Sequence, residues 1–184
     1  MALFFIFIQT VYMPRPLPTT YPPYYETYVK LVPEENILSA LPLSMQQLKQ
    51  DLAAIGLEKA DYVYAPGKWT VKQLLQHAID TERIFAYRAL CISRGEQQSL
   101  PGFDENAYAA IADGKNRHLK DLKEEMLTVR LSTIQLYQGF SNDMMNRSGL
   151  SSEKAVNVHS LGYIIIGHWR HHAGVLNEKY GIGE

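Results

Sequence analysis

The 184-residue sequence contains a single cysteine, Cys91. No intramolecular disulfide framework can form, which fits a reducing compartment. The thiol lies in a helical, mostly apolar pattern and reads as a core filler, not a nucleophile. Charge of one sign is also missing: 18 basic and 19 acidic residues leave a net charge of −1, and no block of like charge occurs. The basic footprint of a nucleic-acid or anionic-membrane binder is therefore absent, and neither partner is expected. The N-terminal apolar run "MALFFIFIQTVY" is too short to span a bilayer and lacks a basic n-region and a cleavage site. It reads as a translation start placed too early, with Met13 the working start, or else as an extended arm packing on another subunit. A cytoplasmic protein is expected. No repeat, low-complexity tract or strong β-hairpin signal is visible.

What is present suits one α-helical domain: 46% of residues are hydrophobic and 20% charged. Residues 1–33 read as an extended N-terminal arm, since six of the nine prolines fall within 14–33. Residues 34–184 read as the domain. Ile37, Leu41, Met45, Leu48, Leu52 and Ile55 recur at helical spacing, with Pro42 kinking or delaying the helix and Gly56 ending it. Thr70 caps a second helix to about residue 94, apolar on most sides and closed by Gly95. A connection of about twenty residues follows, long for antiparallel neighbours, and suits a crossover that leaves the second and third helices parallel. The third helix runs from about Leu119 to Phe140 with Asn116 as its cap, and the fourth over about 158–179 with Gly181 as its stop. The expectation is an all-α four-helix bundle.

The fourth helix carries three of the six histidines, in "LGYIIIGHWRHHAGVLNEKY" (161–180). With His168 at zero on a helical wheel, His172 falls near about +40° and His171 near about −60°. Leu161, Ile164, Ile165, Val175 and Leu176 fall between about −40° and +80° by the same arithmetic. The pair His168/His172 thus shares the apolar face, where a buried imidazole needs partners for both ring nitrogens. A divalent metal meets that need, because neutral imidazoles at i and i+4 reach one ion. A pair of hydrogen-bonded core histidines would also fit the pattern. It is not the zincin motif, since Trp169 stands where H-E-x-x-H has its glutamate. His77, midway along the apolar second helix, is the histidine expected as third ligand. His118 and His159 sit at helix starts and are expected to be solvated, and His171 cannot join the same ion without strain.

"KWTVKQLLQHAIDTERIFAYRAL" (68–90), "LPGFDENAY" (100–108) and "IIIGHWRHHAGVLNEKY" (164–180) resemble the DinB-like superfamily, over about residues 30–180. This group of bacterial four-helix proteins includes metal-dependent enzymes and thiol-dependent S-transferases. The resemblance places the family's helix-two ligand on His77 and its H-x-x-x-H ligands on His168 and His172. It also implies an up-down-down-up bundle and pairing of subunits. Residues before Met13 have no counterpart in it.

Three imidazoles leave positions open on a divalent ion, the arrangement of a catalytic rather than a structural site. Zinc or nickel is the expected metal, and thiol transfer or hydrolysis on a small molecule the expected chemistry. A non-catalytic bundle stapled by its metal is the alternative. Asp80 could orient a ligand or pair with Arg83 or Lys72, while Glu82 faces elsewhere and suits an arginine. Tyr24, Tyr25 and Tyr28 read as a docking patch for the arm. A homodimer is expected, because the second helix is apolar beyond the need of one core and the arm needs a surface to cover.

Overall fold

The computed structural model describes residues 13–112, 114 and 116–183. The expectations for the first twelve residues lie outside that set. The described chain forms α1 (Glu26–Val29), α2 (Ile37–Ala54), α3 (Val71–Ser93), α4 (Glu105–Ile111), α5 (Leu119–Gln138), α6 (Asn142–Asn146) and α7 (Val158–Tyr180), with one hairpin of β1 (Ser148–Ser151) and β2 (Lys154–Asn157). Helices α2, α3, α5 and α7 make the bundle. Three of the four starts are capped by a side chain. The Asn36 side chain accepts from the Leu38 N–H, Thr70 and Gln73 close a reciprocal capping box, and Asn157 accepts from Ser160. Gly181, at φ 62°, ends α7 in the left-handed conformation.

Helix directions follow from the contacts. Gln76 meets Arg117 and Arg83 meets Glu125, so α3 and α5 run parallel. Ile37 packs near Gly162 and Asp51 bonds Trp169, so α2 and α7 also run parallel. Ser44 meets Arg130 and Ile55 meets Lys123, which sets α2 against α5. The topology is up-down-down-up, with the crossover between α3 and α5.

Several boundaries differ from expectation. Pro42 sits inside α2, which starts at Ile37 and ends at Ala54, before Gly56. The α5 N-cap is His118, with no side-chain cap, in place of Asn116. The hairpin was hidden because its turn residues are Ser152 and Glu153, at φ 51° and 61°, not the glycine or asparagine that usually signals such a turn. Leu100 pairs with this hairpin through backbone bonds to Leu150 and Ser152, each 2.9 Å, and so anchors the start of the crossover.

The arm is less extended than its prolines suggest. It forms short helical turns, and Met13, Tyr21, Val29 and Val32 are buried against the bundle. It lies against α7 at Gly167, where a Cβ would stand 2.1 Å from the Tyr28 carbonyl oxygen. Only glycine lets the α1 backbone lie directly on α7 there.

The core divides into two apolar clusters, one around Ile37, Phe85, Ile134 and Ile164–Ile166, the other around Leu48, Leu75, Met126 and Trp169. Between them lies a polar layer. Arg130, wholly buried, donates through Nε and Nη2 to both Glu82 carboxylate oxygens at 2.8 Å and through Nη1 to Ser44 at 2.7 Å. The expectation of an arginine partner for Glu82 is met within the core. His168 occupies the same level of α7, between Ile166 and Trp169.

Candidate metal centre

α3 and α7 meet along one seam, and the histidines converge on it. His168 Nε2 lies 3.1 Å from His77 Nε2 and 3.1 Å from His172 Nε2. One nitrogen of each of the three falls within 4.8 Å of the others, the one such His/Cys/Asp/Glu cluster among the described residues. Two nitrogens bound to zinc at about 2.0–2.1 Å, at angles between octahedral and tetrahedral, stand about 2.9–3.4 Å apart. The observed spacing fits that donor set.

Protonation fits as well. Burial pushes the His77 imidazole down to about 4 and His172 to about 3. His168, 6% exposed, is held well below its ordinary value, first by burial and then by its histidine neighbours. All three are neutral near pH 7, the form that binds metal. His77 Nδ1 stands 3.5 Å from the Thr81 hydroxyl, whereas His172 Nδ1 is buried with no hydrogen-bond partner among the described residues. The Tyr28 ring meets His168 edge-on at 5.3 Å and His171 at 5.5 Å, so the Gly167 contact places an aromatic wall on the triad. Trp69 packs 4.9 Å from His77, and its carbonyl accepts from the Tyr180 phenol at 2.7 Å.

The triad borders a cavity of about 600 Å³. Its walls come from α3 (Thr81, Phe85, Arg88), from the crossover (Gly102, Phe103, Glu105), and from Tyr24, Tyr25 and Tyr28. The three tyrosines thus line the cavity, a role the docking-patch reading missed. Arg88, Phe103 and Glu105 were also missed; the first was available as the continuation of the His77, Thr81, Phe85 face. Asp80 is not in the wall. Gln76 Nε2 donates to it at 2.9 Å, and burial raises its carboxyl above the usual range. His171 lines the cavity outside the cluster. His118 is exposed as expected, but His159 is 4% exposed, with its imidazole pushed down to about 4 by burial. Its place at a helix start does not solvate it, because the arm and the Tyr163 ring (5.2 Å) cover that end of α7. Cys91 is half-buried against the core.

Fold and site together define an all-α bundle with a three-histidine pocket between antiparallel helices. The DinB superfamily model matches residues 40–176, and the chain belongs to that superfamily. Among solved structures it is similar to YfiT from Bacillus subtilis, described as "a probable metal-dependent hydrolase with an unusual four-helix bundle topology". That likeness has a TM-score of 0.66 at 16% identity over 90% of this chain and 99% of that one. It is also similar to a mycothiol-dependent maleylpyruvate isomerase, with a TM-score of 0.58 at 14% identity over 80% of this chain and 58% of that one. At such identities the likeness is one of fold. No curated protein matches the chain significantly. No helix among the described residues is long and apolar enough to cross a membrane.

Proposed function

We propose that this protein is a divalent-metal enzyme acting on a small molecule held in the cavity, by thiol transfer or hydrolysis. One observation carries the reading: three neutral imidazole nitrogens converge beside a cavity of about 600 Å³. His77, His168 and His172 would hold zinc or nickel, which when bound supplies a Lewis acid that lowers the pKa of a water or thiol. Tyr28 and Phe85 pack on His168 and keep water from its buried side. Glu105, exposed and lining the cavity, is the carboxylate in position to accept a proton. Trp69 and Phe103 supply apolar walls that exclude bulk solvent from a bound substrate.

The names of the two similar structures, one metal-dependent and one thiol-dependent, are consistent with this chemistry without transferring a substrate. The test is elemental analysis before and after chelation. One ion per chain is expected in the wild type, none in the His168→Ala/His172→Ala variant, and one in the His118→Ala/His159→Ala variant. Equal stoichiometry in both variants sinks the ligand assignment. A panel of thiol and ester substrates, read alongside melting curves, then separates enzyme from staple. The staple reading draws on the triad's joining α3 to α7. It requires a melting shift on metal removal with no metal-dependent turnover.

A homodimer belongs to the same proposal. Tyr87 and Leu90 are exposed on the outer side of α3, where a second copy would bury apolar area. The described part of the arm adds little to it, since Met13, Tyr21, Val29 and Val32 are buried against the chain's own bundle.

A further inference from the structure

α3 brings a second functional group to the cavity that the triad does not use. His77, Thr81, Phe85 and Arg88 all line it, at steps of four, four and three that keep one helix face. The Arg88 backbone therefore sits three turns beyond His77, roughly 16 Å along the axis. The side chains close much of that gap, since the Phe85 ring lies 5.3 Å from the Arg88 guanidinium and 6.3 Å from the His168 ring. The Arg88 side chain is 3% exposed. A guanidinium so buried ordinarily faces a carboxylate. Arg130 shows that solution in this same chain, with its bidentate Glu82.

Arg88 has no such partner. No carboxylate of the described residues lies within ion-pair distance of it. Its Nη2 donates to the Pro101 carbonyl at 2.8 Å, and its buried Nε has no partner. The guanidinium lies over the Phe85 ring at 5.3 Å and the Phe103 ring at 6.0 Å, so two aromatic faces fix its orientation. Tyr25, edge-on to Phe85 at 5.8 Å, adds a phenol near the same group. A cation held in place and short of an anion, in the wall of a ligand-sized cavity, marks an anion subsite.

We propose that Arg88 binds the carboxylate of a small organic acid whose other end reaches the histidine triad, with Tyr25 beside it. The second half of that statement rests on the function proposed above, whereas the carboxylate subsite does not. A single guanidinium, with Glu105 also in the cavity wall, favours one negative charge over two. The planar carboxylate also suits the arginine fork.

The test uses 3-phenylpropionate and its neutral isostere 3-phenylpropanamide, titrated calorimetrically into the full chain, with and without zinc. Wild-type protein should bind the acid about ten-fold or more tightly than the amide in both forms, the scale of a charged hydrogen-bond pair. Arg88→Met should abolish that preference and leave metal stoichiometry unchanged, and Arg88→Lys should keep part of it. Equal affinity for acid and amide in the wild type overturns the subsite, absence of binding by either included, and so does a preference that survives in Arg88→Met. Because the zinc-free arm reads Arg88 alone, a chain that takes up no metal defeats the enzyme reading without touching this one.

Discussion

Gly167→Ala tests the placement of the arm on α7, and two principles disagree on its sign. Alanine is favoured over glycine inside a helix by about 1 kcal/mol, so propensity alone predicts stabilisation. Yet the new Cβ would stand 2.1 Å from the Tyr28 carbonyl oxygen, 2.5 Å from its carbon and 3.0 Å from its Cα. These are backbone atoms, which cannot rotate aside as a side chain would. Relief requires α1 to move by more than an ångström, straining the burial of Val29 and Val32 that docks it. Overpacking of this kind costs about 1–3 kcal/mol, and the contact lies at the severe end. After the propensity gain, a net loss of about 1–2 kcal/mol remains, or about 2–8 °C in melting temperature for a chain of this size. Gly174 is the internal control. It lies on the same helix with nothing within 4 Å of a Cβ, so Gly174→Ala should raise the melting temperature by about 2–4 °C. Melting of both variants by circular dichroism reads the contrast. If Gly167→Ala is stabilised as much as Gly174→Ala, Tyr28 does not pack where the structure places it.

Three other outcomes follow from single features. His159, ordinarily near 6.5, is pushed down to about 4 on folding, so the unfolded state binds the extra proton; its contribution is complete above pH 6.5 and is lost as pH falls through 4. His159→Phe should therefore make the fall of urea-denaturation stability over that window less steep, the buried triad supplying the rest, and an unchanged acid limb would show the imidazole to be solvated. Arg130→Met should cost about 3–5 kcal/mol by leaving Glu82 buried and unpaired, whereas Arg130→Met/Glu82→Leu should recover much of it; a double variant as unstable as the single one would contradict a desolvated pair. Sedimentation at micromolar concentration should show a dimer that Tyr87→Glu weakens, and a wild-type monomer would reject the pairing.

The bundle and its direction were legible in the sequence because they rest on local signals. Helical periodicity, the Thr70 cap, the Gly181 stop and the length of the crossover each act within a few residues or along one helix. The pairing of His168 with His172 was legible for the same reason, since one helical turn fixes their shared face, and helix position with the superfamily resemblance added His77. Where elements from distant parts of the chain meet, local pattern carries no such information. His159 looks solvated from its place at a helix start, until the arm and Tyr163 cover it. Ser152 and Glu153 carry no strong turn signal, yet Leu100 bonds their hairpin from fifty residues away and sets Gly102 and Phe103 against the cavity. Tyr28 looks like part of a docking patch until Gly167 admits its backbone onto α7 and turns its ring to the triad. Arg88 reads as an ordinary helical charge; that it is buried, and that Glu82 goes instead to Arg130, depends on which helices pack together. Periodicity sets which face of a helix is apolar, but only packing decides which charged group on that face is left facing a cavity without a counter-ion.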